Sequence, residues 1–218
     1  MRATLLDACR AVDPGPCSTI VSDGFVSVAI TANIDEGTAV EQKNARGNLC
    51  INRPARPKIK NYSVTVNFCG VDPDLYALFS GQDVVLDANG DAIGFNVDVE
   101  KDTSQAHVAL EVWSEIPGSV CSTGVTGTDG VWGYTLLPAL QNGVVGDFTI
   151  EDAAVNFSVS GMVTVNNAWD VGPYDVMLDG SLVAGPLLEA MTPSSHLRVF
   201  RTEVAPPDTA CGCTELAA

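Results

Sequence analysis

The chain has 218 residues, 46% of them apolar, and a formal net charge of −16. A chain this long can bury roughly 70% of its unfolded surface, so one large domain with a real core is expected. The charge excludes free binding to nucleic-acid backbones, and no apolar run approaches the ~20 residues of a membrane-spanning helix, so no membrane insertion is expected.

Val, Thr and Gly are plentiful, which leans the composition toward β structure. Residues 1–23 are punctuated by Gly, Pro and Cys and read as an N-terminal extension. Asp7 and Arg10 interrupt that stretch where a secretory signal needs unbroken apolar residues, so folding in a cytosol is expected. Phe25 to Ala32 alternates with period two and predicts a strand with one buried face. Residues 33–60 are long and polar, broken by Gly37, Gly47, Pro54 and Pro57, and predict a long loop or hairpin arm. From Lys43 to Lys60 the arm carries Lys43, Arg46, Arg53, Arg56, Lys58 and Lys60 and no acid. From Asn61 to Leu197 the balance reverses, with eighteen acids against one base, Lys101.

Asn61 to Cys69 is a second alternating strand, with Tyr62, Val64, Val66 and Phe68 on one side. A short helix is predicted at about 73–80. Asp72 caps it, Pro73 fits its first position and Asp74 complements the dipole. Leu75, Leu78 and Phe79 give it an apolar face, and Gly81 supplies the stop. A helix of two turns is unstable alone, so it must dock on the sheet.

Asp83–Leu86 and Ile93–Val99 predict a hairpin around Asn89-Gly90. Asp98, Glu100 and Asp102 would then share one solvated face of an extended strand. His107–Trp113 alternates again, and a Gly/Ser/Thr-rich loop follows at 118–130. Trp132–Leu140, Gly146–Glu151 and Ala154–Ser160 read as an antiparallel meander with turns at Asn142-Gly143 and Glu151-Asp152. The last strand is expected near Leu197–Val204, and residues 206–218 as a C-terminal tail. The fold class is mainly β: an antiparallel β-sandwich or partly closed barrel over 24–205, with one short flanking helix and the arm.

Chemistry-bearing motifs are sparse. His107 and His196 both read as structural, and no nucleophile elbow, phosphate loop or zinc-protease motif appears. Asp87-Ala-Asn-Gly-Asp91 lacks the glycine placement and closing glutamate of a calcium loop. Three carboxylates in a row at 98–102 do not make the opposed pair of a glycosidase. Seven cysteines, an odd number, predict mostly reduced, buried thiols, and Cys211-Gly-Cys213 has no zinc spacing. No enzyme activity, metal or cofactor is expected. The arm has three readings: a solvated loop, a nucleic-acid contact, or a docking element for the acidic surface of another copy. No aromatics interleave its bases, which disfavours the second. Segregated charge on one chain favours the third, a head-to-tail contact that builds rings or filaments.

Glu36-Gly37 through Lys43-Asn44-Ala45-Arg46-Gly47, Leu49-Cys50 and Phe68-Cys69-Gly70-Val71-Asp72-Pro73-Asp74-Leu75 form a phrase-like pattern. With Trp132-Gly133-Tyr134 to Pro138, Gly146-Asp147-Phe148-Thr149-Ile150-Glu151 and Trp169-Asp170-Val171-Gly172-Pro173-Tyr174, it resembles the major tail (tail tube) proteins of long-tailed siphophages of actinobacteria. The resemblance covers about residues 24–207. It implies hexameric rings stacked into a tube in the virion tail, assembled in the host cytoplasm. Inner strands would join into a lumen wall, and the arm would make contacts between rings or subunits. Its partners would be other copies, tail proteins at the tube ends and duplex DNA passing without specific binding. The resemblance implies no cofactor and no covalent chemistry. Asp98, Glu100 and Asp102 are the residues expected on an acidic lumen face. The alternatives are a monomeric β-sandwich virion binding or decoration module, and an enzyme with carboxylates at 98–102.

Overall fold

Alternation of β-favouring apolar residues with Ser, Thr and Asn leaves about half of the described residues in strands. The computed structural model describes residues 1–70, 72–105, 107–116, 131–146, 149–150, 155–210 and 212–216. Cys121, Cys211, the loop expected at 118–130 and the expected turn at Glu151-Asp152 lie outside the described residues. Strands β1 (Arg2–Leu6), β2 (Gly15–Val21), β3 (Phe25–Asp35), β4 (Val40–Lys43), β5 (Leu49–Arg53) and β6 (Lys58–Cys69) precede helix α1 (Pro73–Ser80). Then come β7 (Val84–Leu86), β8 (Ala92–Phe95), a 3₁₀ turn (Thr103–Gln105), β9 (His107–Glu115), β10 (Trp132–Val145) and β11 (Thr149–Ile150). The chain continues through β12 (Val155–Val163), β13 (Met177–Leu178), β14 (Ala184–Gly185), β15 (Arg198–Thr202) and β16 (Thr214–Leu216).

One antiparallel sheet runs in the order β16-β2-β1-β9-β10-β12-β6-β3, with β11 added beside β12 and β15 beside β10. Its ends, β16 and β3, do not meet, so the mainly β, one-helix fold is open and not a closed barrel. Strand β10 is the branch point. One of its edges pairs with β9, while the other takes β15 along Trp132–Leu136 and β12 along Leu140–Val145. Pro138, which has no N–H to offer a ladder, lies between the two partners. Its carbonyl accepts from Asn166 Nδ2 at 2.9 Å, so the gap in the ladder is filled by a side chain.

Both faces of the central strands are covered. On one, α1 packs Leu75, Tyr76, Leu78 and Phe79 against Val64, Val66, Phe68, Val108, Leu110 and Phe157. On the other, Trp169, Val176, Leu187 and Met191 from the chain after β12 cover Ala109, Trp113, Tyr134 and Leu136. Strand β9 is therefore buried on both sides, where alternation predicted one. Its polar members are accommodated individually. Buried Glu111 receives Arg2 Nε at 2.5 Å, Arg2 Nη2 at 2.7 Å and the Tyr134 hydroxyl at 2.6 Å. The Arg2 guanidinium also stacks 3.3 Å from the centre of the Tyr174 ring, and the Tyr174 hydroxyl bonds Thr4 and Thr19 at 2.9 Å. Burial, then the neighbouring Glu111 charge, pushes the Tyr134 hydroxyl well above the ordinary tyrosine range, so it stays a neutral donor.

The predicted helix forms as expected. Asp72 accepts from the Leu75 N–H at 3.2 Å, and Gly81 closes the helix at φ 66°. Asn142-Gly143, expected to turn the chain, instead forms a bulge inside β10, with Asn142 at φ 56° and a register shift against β12 between Gln141 and Val144. The reason is the helix: a Cβ on Gly143 would sit 1.8 Å from the Phe79 carbonyl oxygen, so only glycine lets α1 come this close.

Both chain ends differ from expectation. Residues 1–23 carry two strands of the main sheet, with Ala3, Leu6 and Ile20 buried, and the C-terminal tail contributes β16 at its edge. Pairing of β16 with β2 brings Cys17 and Cys213 to a Cα separation of 4.6 Å, and the two are disulfide-bonded. The expectation of reduced, buried thiols is corrected further by Cys9, Cys50 and Cys69, which are free and exposed.

Glu111→Leu leaves the Arg2 cation buried without its anion and should cost about 3–5 kcal/mol, with Arg2→Met in the same chain recovering most of the loss. Urea denaturation of the single and double variants measures both. Alkylation of the native protein should label Cys9, Cys50 and Cys69, with Cys17 and Cys213 labelled only after reduction; peptide mass spectrometry reads the pattern.

Candidate assembly surfaces

The arm is a two-part hairpin. Strands β3 and β6 pair as far as Asp35 and Lys58, well past the last core residue of β6 at Val64. Gly37, at φ 69°, then passes the Arg56 backbone so closely that a Cβ would lie 3.0 Å from its carbonyl oxygen. Pro54 and Pro57 interrupt the ladder on the return strand, and β4 and β5 pair again beyond the break. At the tip, Asn44 Oδ1 accepts from the Arg46 and Asn48 N–H groups at 3.0 and 2.9 Å, and Gly47 takes φ 80°. At about 3.3 Å per residue, the dozen residues from Ala32 to Lys43 reach up to roughly 40 Å.

Residues 34–60 are all exposed. Lys43 ends β4, Arg46 sits in the tip turn, Arg53 ends β5, Arg56 lies opposite Gly37, and Lys58 and Lys60 begin β6. Among the described residues the ion pairs are Arg2–Glu111 and Lys101–Asp83, so these six bases have no ion-pair partner there. Cross-strand register puts Val40, Gln42, Ile51 and Arg53 on one face of the tip, and a bulge beyond Ile51 pairs Leu49 with Lys43 on the other. Val40, Leu49 and Ile51 are each close to half exposed, and the Ile34–Ile59 pair nearer the body is more so. The bases were legible from sequence. This apolar face was not, because its period is hidden by the proline and glycine breaks.

A second surface starts where the arm leaves the body. Strand β3 is an edge strand of eleven residues, bonded among the described strands only to β6. The sheet face opposite α1 presents Ser27, Ala29, Thr31 and Asn33 on β3, Asn61, Ser63, Thr65 and Asn67 on β6, and Ser158, Ser160 and Met162 on β12. These eleven positions carry no charge in a chain of net −16. Short polar bonds knit the face, among them Asn67 Nδ2 to Ser27 Oγ at 2.9 Å and Asn33 Nδ2 to Ser63 Oγ at 2.8 Å. The signal was present in sequence as Ser, Thr and Asn alternating with Val and Phe.

Asp98, Glu100 and Asp102 do not share a strand face. They are exposed in the turns between β8 and the 3₁₀ turn. Asp98 Oδ1 accepts from the Glu100 N–H and Asp102 Oδ1 from the Ser104 N–H, both at 2.9 Å. Such side-chain to backbone bonds compete with strand formation, which is why the alternation misled. Gln82, after α1, bonds both backbone groups of Asp98 and ties this acidic stretch to the helix. The hairpin of β7 and β8 forms around Asn89-Gly90 as expected, with positive φ at Gly90 and Asp87 Oδ1 accepting from Asn89 and Asp91.

Between α1, β7 and the first two strands lies a groove of about 490 Å³, lined by Leu5, Ala77, Leu78 and Val84 with Asp74, Asp83 and Asp102 at its margin. Lys101 bonds Asp83 there at 2.6 Å. Burial, then the Asp72 charge, holds the Asp74 carboxyl above the ordinary range, opposed by a hydrogen bond from the Cys213 N–H. His107 is buried at the start of β9, and burial followed by the Arg10 charge keeps its imidazole below its usual pKa. His196 is half-buried beside Tyr62. No protein-family model matches the chain, and no curated protein shows significant similarity to it.

Because Leu49 and Ile51 belong to neither core cluster, Leu49→Ser with Ile51→Ser should change the stability of the protomer by less than about 0.5 kcal/mol. Urea unfolding at low protein concentration, where copies stay apart, measures the difference.

Proposed function

We propose that this chain is a structural subunit that self-assembles head to tail into stacked rings, forming the tube of a phage tail through which a DNA genome passes. The observation that carries the reading is the arm, which holds aliphatic side chains and unpaired cations on an exposed hairpin. Exposed apolar groups gathered on one face mark an interaction surface, and exposed cations beside them set its charge preference. The acidic body of another copy is the complementary surface.

Two further features support the reading. The free edge of β3 offers a row of backbone donors and acceptors to a neighbouring strand, so rings can close by continuing the sheet from copy to copy. The uncharged face of β3, β6 and β12 would then become part of a continuous inner wall. Duplex DNA carries about one charge per 1.7 Å, and a wall bearing lysine or arginine would hold it through many phosphate contacts. A Ser/Thr/Asn face has no cation to hold the phosphates by charge. If the ring holds six copies, its charge is six times −16, or −96, which opposes phosphate binding further. This face replaces Asp98, Glu100 and Asp102 as the proposed lumen surface, because those residues share no strand face. Other tail proteins would cap the tube, with the virion tail as its location, and no catalytic step is assigned to the chain.

Concentrated wild-type protein should form rings or tubes in negative-stain images. Arg53→Glu with Arg56→Glu should abolish them while leaving the thermal unfolding temperature unchanged. Normal tubes from this variant would remove the electrostatic part of the reading. A wild-type protein that stays monomeric even with tail-tip proteins present would favour the decoration-module alternative instead.

A further inference from the structure

The arm and the groove beside α1 lie at opposite sides of the main sheet. The groove is bounded by Leu5 of β1 and Cys17 of β2, whereas the arm extends from β3 at the far edge. Six strand positions separate β2 from β3, roughly 29 Å at about 4.8 Å per step. We propose, resting on the self-assembly reading above, that the arm tip of one copy seats in this groove of the next. Val40 and Ile51 would meet its aliphatic walls, and Arg53 and Arg56 its carboxylate margin.

Charge and chemistry select this groove. Residues 83–102 hold six acids, Asp83, Asp87, Asp91, Asp98, Glu100 and Asp102, against Lys101 alone, a net of −5. Lys101 is already bonded to Asp83, so it does not neutralise the rest. Residues 33–60 hold six bases against Asp35, Glu36 and Glu41, a net of +3. Aliphatic walls under an acidic margin therefore match aliphatic side chains flanked by guanidinium groups. Two other cavities match less well. One of about 320 Å³ sets Met177, Leu182 and Leu188 beside Asp179, Glu203 and Arg201, two carboxylates against a guanidinium, and so is less acidic than the groove with Asp74, Asp83 and Asp102 against Lys101. Another of about 520 Å³, lined by Ile59, Tyr62, Ser194 and His196, carries no carboxylate.

The contact is heterologous, since the surface used on one copy differs from that used on its neighbour. Each subunit then keeps one arm and one groove free at the ends of a growing stack. Arm and groove on opposite sides of the sheet make the same contact repeatable in one direction.

The test uses the full chain. Asp83→Arg with Asp102→Arg, or Ala77→Trp to fill the groove, should each raise the concentration needed for assembly by at least about tenfold. Combining the two groove arginines with Arg53→Glu and Arg56→Glu in one chain should restore tubes by exchanging the charges. Independently of those variants, a benzophenone maleimide on Cys50, in a background with Cys9, Cys69, Cys121 and Cys211 each changed to Ser, should cross-link on irradiation to peptides of α1 and β7 in assembled particles. Tubes that form normally from Ala77→Trp, with Cys50 cross-links mapping elsewhere, would overturn this docking site and leave self-assembly standing. A wild-type chain that forms no assembly would overturn both.

Discussion

The buried pair of Arg2 and Glu111 sets the conditions for the rest of the structure. Both ions are removed from water, which costs several kcal/mol each unless their hydrogen bonds are met. They are met here: two parallel bonds join guanidinium and carboxylate, Tyr134 donates to Glu111, and Tyr174 stacks on Arg2. Because the two residues are directly opposed in register, a one-residue slip of β1 against β9 would leave two unpaired charges in the core. The pair therefore specifies register more than it adds stability. Strand β1 positions β2, β2 accepts β16, and β1 and β2 form one wall of the groove beside α1.

A second constraint is the approach of α1 to the sheet. The helix is too short to persist alone, and its apolar side is satisfied only where β10 bulges beneath it. Asn142 supplies the left-handed conformation and Gly143 the absent Cβ. Tyr76 then lies parallel to Phe95 at 4.6 Å and edge-on to Phe157 at 5.5 Å, linking helix, hairpin and sheet. The acidic hairpin that follows the helix is carried on this contact, so its placement derives from a glycine 48 residues beyond its end.

Charge is distributed in space as well as along the chain. Six of the eleven cations occupy an arm that leaves one edge of the sheet, and the carboxylates of residues 83–102 gather beside the helix toward the other side. The sheet face opposite the helix, on β3, β6 and β12, is neutral. An exposed edge strand such as β3 invites pairing with another chain, and proteins that must stay monomeric commonly blunt such edges with charge or proline. Neither interrupts β3 before Asp35. That choice is physically consistent with a chain whose working state is an assembly.

Much of the local structure was written in the sequence. Period-two alternation marked β3 and β6, because burial on one face imposes it directly. Asp72, Pro73 and Gly81 delimited α1 because capping and left-handed closure are local chemistry, and the segregated bases identified the arm. What the tertiary structure alone decided depends on residues far apart in the chain. The terminal segments became strands because β9 and β2 offered them edges, and Cys17 met Cys213 across a separation of 196 residues through that pairing. Asn142-Gly143 bulged where a turn was expected because a helix needed the space. Asp98, Glu100 and Asp102 left the extended state because side-chain bonds to nearby backbone N–H groups, and Gln82, held that stretch in turns. Local signals report what a residue prefers, whereas the sheet order decides which neighbours it meets.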